Sequence, residues 1–296
     1  MTRTRRLREL IAREGLLVLP STYDPLLARC IERVGFEALY MAGSGVANGT
    51  LGVPDLGMVT FPEMLERARL LADATSLPLL ADAEDGFGAP LDIMRTVRAY
   101  ERAGVAAVQI EDLAKPKRPW DPKRVIPRAQ MIGHLKAALD ARLDPDLVII
   151  ARTDACAAVG VAEGIERGLA YAEVGADVIQ VVTPRSLDDF RTYARAVRHP
   201  LMCNMQDAVF PTDVSARDVE ALGYRIAVHA TALSKFVTKQ VVEFLATLRR
   251  EGSLAFALDR LHTPKEWSEF LEVDRYRTLE GRYLGADDGA EERPAR

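Results

Sequence analysis

Cysteine is scarce in this chain, and Cys30, Cys156 and Cys203 are odd in number and sit at no metal-binding spacing. That excludes a disulfide scaffold and a thiolate metal site, and it predicts a reducing, cytoplasmic compartment. No apolar run approaches the roughly 18 residues of a membrane span, so no membrane partner is expected. An excess of one sign of charge is also missing. The formal net charge is −4 with both signs interspersed, which leaves no broad basic field for nucleic acid. The opening Met1-Thr2-Arg3-Thr4-Arg5-Arg6 lacks the apolar core of a secretion signal. Neither an internal repeat nor a low-complexity linker divides the chain. What is present is a sequence of 296 residues, 48% hydrophobic, long enough to bury a large core and expected to take a small ligand.

Eight short apolar, β-branched runs recur, at residues 16–19, 38–41, 77–81, 106–110, 147–151, 178–182, 201–204 and 226–229. Amphipathic segments of helical period lie between them, at 62–74, 91–104, 128–142, 161–175, 187–198 and 214–223, with glycines such as Gly35 and Gly175 closing helices before the next strand. Strand then helix, repeated eight times, predicts an α/β fold of the (β/α)8 barrel type. An open doubly wound sheet would need one run to be misassigned. We expect residues 1–250 to form the barrel. Residues 251–284 read as a helical extension whose apolar side chains, among them Trp267, Phe270, Leu271 and Tyr276, would pack on a second subunit. The tail 285–296 is expected to be disordered.

In such a barrel chemistry gathers at the C-terminal ends of the strands. Those ends carry Gly43-Ser44-Gly45, Asp82 and Glu84, Glu111 and Asp112, Arg152-Thr153-Asp154, Asn204 and His229. Carboxylates crowded together repel unless a cation lies among them, and an oxygen-only donor set suits hydrated Mg²⁺, with Mn²⁺ as a substitute. Arg152 is expected either to clamp a substrate carboxylate with its paired donors or to form an ion pair with Asp154 or Glu111. Gly43 and Gly45 would let the backbone approach an anion, or simply form a turn. His229 reads as a general acid or as a satisfied core histidine. His134 and His199 fall on helix surfaces, and Cys156 and Cys203 read as small core residues.

The ordered set Tyr40-Met-Ala-Gly43-Ser44-Gly45, Leu51 to Gly57, Asp82-Ala-Glu84-Asp85-Gly86-Phe87-Gly88, Ile110-Glu111-Asp112, Pro116-Lys117-Arg118, Ala151-Arg152-Thr153-Asp154 and Leu201 to Met205 resembles the isocitrate lyase and phosphoenolpyruvate mutase superfamily. Within it, the match is to the short methylisocitrate lyase, dimethylmalate lyase and carboxyphosphonoenolpyruvate mutase type. The resemblance implies a helix-swapped barrel in a dimer of dimers. It implies Mg²⁺ held largely through waters by Asp55, Asp82, Glu84 and Glu111, and a small 2-oxo or 2-hydroxy acid cleaved through a metal-bound enolate. It also implies substrate contacts from Tyr40, Gly43, Ser44, Gly45, Arg152 and Asn204, with Lys117 and Arg152 in catalysis.

Three departures stand out. Where the lyases of the family carry Lys-Arg-Cys-Gly-His on a gating loop, this chain has Lys117-Arg118-Pro119-Trp120-Asp121. The proton-donating thiol is therefore absent, since proline can neither donate nor accept a proton. Asp121 reads as orienting a water and Trp120 as covering the substrate, or both as solvated loop residues. Glu84 replaces an aspartate of the Asp-x-Asp motif. A glutamate expected at the end of strand six is replaced within Val181-Val182-Thr183, so the distal pocket should be less polar. The leading expectation is a Mg²⁺-dependent lyase that breaks a C–C bond of a small dicarboxylic acid by retro-aldol cleavage or decarboxylation. Decarboxylation gains from the absent thiol. The alternatives are C–P mutase or hydrolase chemistry and a non-catalytic, ligand-binding barrel. Asp82, Glu111, Arg152 and Asn204 argue against the last.

Overall fold

The computed structural model describes residues 1–182, 184, 186–205 and 214–284. Eight parallel strands form one sheet in the order β1-β8-β7-β6-β5-β4-β3-β2. They are β1 (Leu17–Pro20), β2 (Leu39–Met41), β3 (Leu79–Asp82), β4 (Ala107–Glu111), β5 (Val148–Thr153), β6 (Val178–Val181), β7 (Leu201–Asn204) and β8 (Ile226–His229). A parallel bridge from Ser21 to Tyr40 and a bond from Thr22 N to Tyr40 O of 3.0 Å join the first strand to the second. The sheet thus curls into a nearly closed (β/α)8 barrel, and the open-sheet alternative is excluded.

The helices in chain order are α1 (Arg3–Ala12), α2 (Pro25–Val34), a single turn α3 (Gly43–Val46), α4 (Phe61–Ala74), α5 (Pro90–Arg102), α6 (Arg128–Ala141), the short α7 (Ala155–Ala158), α8 (Val161–Val174), α9 (Leu187–Ala196) and α10 (Ala216–Ala221). Chain chemistry explains their limits. Asp24 caps α2 by accepting from Leu26 N and Leu27 N, and Gly35 ends it at φ 96°, a left-handed position that costs a side chain strain and glycine none. The capping α1 escaped the sequence reading because its apolar stripe is interrupted by arginines. Leu7, Leu10 and Ile11 on one face nevertheless pack with Leu17, Val148, Val178 and Ile226 at the N-terminal mouth of the barrel.

Strand alternation divides the core in two. Leu19, Leu80, Ile150, Met202 and Val228 fill the barrel, while Leu39, Met41, Leu79, Val108, Ile149 and Ile179 face the helices. Register places the site: Asp82 pairs with Gln109, and Glu111 pairs with Arg152, so these side chains share the interior face at the C-terminal end.

A second compact unit begins at Lys239 and includes most of α11 (Ala232–Glu251), then α12 (Pro264–Phe270) and α13 (Val273–Leu284). Phe244 packs on Phe256, and Trp267 stacks on Phe270 at 5.8 Å. Val242, Leu245, Leu258, Tyr276, Tyr283 and Leu284 are exposed. The tail 285–296 lies outside the described residues. Among the described residues no helix is long and apolar enough to cross a membrane.

Candidate active site

A cavity of about 540 Å³ opens at the C-terminal ends of the strands. Tyr40, Ser44, Asp55, Asp82, Lys117, Asp121, Arg152 and Asn204 line it. Gly43, Gly45, Glu84, Glu111 and His229 do not, although Glu84 and Glu111 contact residues that do. Sequence reading missed Lys115, Lys123, Arg124 and Thr231. The cation-rich stretch from Lys115 to Arg124 held the signal for the first three; nothing local marked Thr231.

Asp82 ends β3, buried, and accepts from Gly43 N at 3.0 Å and Glu84 N at 2.8 Å. The second bond holds Glu84 at φ 54°, a conformation uncommon outside glycine. Burial, then repulsion by Glu84, pushes the Asp82 carboxyl up. Gly43 is required by close approach: a Cβ there would clash with Glu84 Oε1 and lie 3.1 Å from Asp82 Oδ2. The Glu84 carboxylate cannot yield cheaply, because Lys115 Nζ holds Oε2 at 2.8 Å and Lys117 Nζ lies 2.9 Å from Oε1. Gly43→Ala is therefore expected to destabilise the protein by about 1–3 kcal/mol, as overpacking does. Urea unfolding checks this; an unchanged midpoint would refute it.

Lys117 Nζ sits 3.0 Å from Asp55 Oδ1, 2.7 Å from Glu84 Oε2 and 4.0 Å from Glu111 Oε1. Burial opposes ionisation of Glu84, but Lys117 and Lys115 outweigh it and hold the carboxyl down to about 2. Glu111 behaves oppositely. Burial, only partly offset by Arg152, pushes it up to about 8. Burial likewise raises the Tyr40 hydroxyl, which donates to Gln109 Oε1 at 2.7 Å.

Arg152 forms the ion pairs named as one alternative for it while facing the cavity. It lines the cavity, and it pairs with Glu111 Oε2 at 3.1 Å and Asp154 Oδ2 at 2.9 Å. Asp154 also receives Lys123 Nζ at 2.7 Å, so the loop between β4 and α6 is tied to both sides of the mouth. Arg118 donates from that loop to Leu56 O.

Several readings need correction. Asp112 does not join the acidic mouth. Its carboxylate turns to Thr153, Arg167 and Tyr171, because neighbours in a strand face opposite ways. His134 is buried rather than on a helix surface, and burial lowers its pKa. His199 is half-buried, with Nε2 2.7 Å from Ala176 O. Cys156 and Cys203 are core residues, as expected. Neither lines the cavity, and burial pushes the Cys156 thiol up to about 12. Asp121 lines the cavity, while Trp120 is 70% exposed. Of the run Val181-Val182-Thr183, within which a family glutamate was expected, Thr183 lies outside the described residues and Val182 is an apolar part of the lining.

Among the described residues no three His, Cys, Asp or Glu side chains close on one point as direct ligands. The residues nevertheless fit a hydrated hard cation, which needs only one or two carboxylates and keeps several waters. An ammonium already lies between Asp55, Glu84 and Glu111, and both Glu111 oxygens lack a hydrogen bond despite full burial.

A parallel barrel that gathers acidic groups and a guanidinium at its C-terminal mouth has the arrangement of a (β/α)8 barrel enzyme, whose active site lies at that end. The chain matches the family model for phosphoenolpyruvate phosphomutase over residues 7–249 and belongs to that family, in the isocitrate lyase/phosphoenolpyruvate mutase superfamily. It is 35% identical to 2,3-dimethylmalate lyase of Eubacterium barkeri over 96% of this chain and 99% of that one. Among solved structures it is similar to oxaloacetate acetylhydrolase in complex with 3,3-difluorooxalacetate, with a TM-score of 0.89, 31% identity and coverage of 96% and 98%. It is also similar to phosphonopyruvate hydrolase in complex with oxalate and Mg²⁺, with a TM-score of 0.87, 30% identity and coverage of 96% and 100%.

Proposed function

We propose that this protein is a Mg²⁺-dependent carbon–carbon lyase for a small 2-oxo or 2-hydroxy dicarboxylic acid. The observation that carries the reading is Arg152 held at the cavity wall between two fully buried carboxylates, Glu111 and Asp154. Relatives named for dimethylmalate and oxaloacetate support it. Breaking a bond beside a carbonyl moves an electron pair toward the carbonyl oxygen, giving an enolate. Bound Mg²⁺, or Mn²⁺ in its place, would stabilise charge developing on such an oxygen, and Asp82, Glu84, Asp55 and Glu111 are the residues proposed to hold it.

The rest of the work falls to the chain itself. Ser44, which lines the cavity, receives the substrate carboxylate, while the Gly43 amide is committed to Asp82 and Gly43 and Gly45 serve to bring the turn close. Arg152, Tyr40 and Asn204 orient the reacting end, and Lys117 supplies a neighbouring positive charge. Asp121 orients a water that returns a proton to the enolate, taking the place of the absent thiol. This arrangement suits decarboxylation, in which CO₂ leaves and the enolate carbon is protonated from solvent. Trp120, exposed on the loop beside the mouth, is proposed to cover the opening when substrate binds, and His229, at the end of β8 outside the lining, is assigned no contact with substrate. The exposed apolar side chains of α11 to α13 support a homo-oligomer in which residues 251–284 pack on a partner; the dimer of dimers rests on the family resemblance, and the cytoplasmic assignment on the few unpaired cysteines.

The test combines thermal shift with Mg²⁺ and oxalate, a mimic of the pyruvate enolate, and a panel of oxaloacetate, substituted malates, methylisocitrate and phosphonopyruvate. A joint shift with pyruvate release is expected. Phosphate release from phosphonopyruvate alone would replace the reading with C–P hydrolysis, and no shift with either additive would leave a non-catalytic barrel.

A further inference from the structure

Asp112 and Arg167 are charged, buried and outside the cavity, yet they touch both structural parts that the cavity depends on. The Asp112 carboxylate accepts four hydrogen bonds: from Thr153 Oγ1 at 2.7 Å, Asp154 N at 2.9 Å, Tyr171 OH at 2.8 Å and Arg167 Nη1 at 3.0 Å. Arg167 Nη1 also donates to Ile126 O at 2.9 Å. Glu163, one turn earlier on α8, holds Arg167 Nε at 2.8 Å. The backbone completes the junction. Asp112 N donates to Arg152 O at 3.1 Å, Ile126 N to Asp112 O at 2.9 Å and Ala114 N to Arg124 O at 2.8 Å.

The two ends of the loop carrying Lys115, Lys117, Asp121 and Lys123 therefore meet at Asp112. The backbone leading into Asp154, whose side chain carries Arg152 and Lys123, meets there too. We propose that the Asp112–Arg167 pair is a positioning device that pins the neck of the 113–126 loop to the C-terminal end of β5. It sets loop and guanidinium in one frame without touching substrate. Removing either charge would leave a buried partner uncompensated, so both parts should loosen together. The pinning stands on the contacts alone, whereas its consequence for ligand binding rests on the function proposed above.

Hydrogen–deuterium exchange, resolved by peptide, tests the device in the full-length protein. Arg167→Met is expected to speed exchange at least tenfold in peptides spanning 112–126 and 152–158, with β1 to β3 unchanged; each charge-assisted bond lost sets a factor of about that size, and the substitution removes those to Asp112 and Glu163 together with the bond to Ile126 O. Arg167→Lys should recover part of the protection. Should Arg167→Met fail to fold, Tyr171→Phe removes one donor to Asp112 and keeps the ring, and a smaller effect confined to the same peptides is expected. Exchange that is unchanged, or that rises uniformly across all strands, overturns the proposal. In parallel, oxalate affinity with Mg²⁺ should fall about tenfold in the variants that loosen the neck. If the wild type binds no oxalate, the functional reading fails, and the exchange data still decide the pinning.

Discussion

Asp82→Ala is expected to abolish Mg²⁺ stabilisation and to lower turnover by about 10³-fold or more, since a metal ion contributes several kcal/mol to a charged transition state. Two effects coincide at this position. The substitution removes a buried negative charge from the group proposed to hold the ion. It also strips the acceptor from Gly43 N and Glu84 N. A buried donor left without a partner costs about 1–3 kcal/mol, and the Glu84 turn at φ 54° loses the bond that holds it. Asp82→Asn separates these effects, because the amide keeps one oxygen acceptor while losing the charge. The checks are the Mg²⁺-dependent rise in melting temperature and product release under saturating substrate. Near-normal activity of either variant would remove the metal from the mechanism.

Arg152→Lys is expected to reduce kcat by roughly 10²–10³, the range found when a preorganised donor is removed from a developing charge. The guanidinium now spans Glu111 and Asp154. A single ammonium cannot reproduce that planar, two-sided contact. Glu111, already pushed up to about 8 by burial, would be less offset and more readily protonated. Stability should fall as well, because breaking a buried ion pair typically costs about 3–5 kcal/mol. Kinetics and urea unfolding on the same preparation distinguish the two losses. A variant with wild-type kcat and reduced stability would make Arg152 purely structural.

The legibility of this protein varied with the range of the interaction. The eight strands were readable because each is a short run of adjacent apolar residues. Gly35 was readable because its left-handed φ is a local requirement. The carboxylates at Asp82, Glu84 and Glu111 were readable as strand ends. Asp112 was misplaced even though period-two alternation was present in the sequence; its proximity to Glu111 concealed that the two face opposite sides. His134 was misread because the burial of its helix face depends on what packs against it. The ammonium positions were invisible for the same kind of reason. Lys117 meets Glu84 at 2.7 Å and Lys123 meets Asp154 at 2.7 Å only once the loop has folded across the mouth.

By itself, the amino-acid order determined the barrel, the end of the barrel where chemistry gathers, and the acidic character of that end. These follow from near-neighbour terms: side-chain alternation, helical period, turn chemistry and the residue type at each strand end. Tertiary structure alone decided which charge faces which. It divided Glu111 from Asp112, set Arg152 between two carboxylates and brought Arg167 to the root of the loop. Those pairings join residues far apart along the chain, and the free energy of an ion pair depends on burial and angstrom-scale separation, neither of which a linear sequence carries.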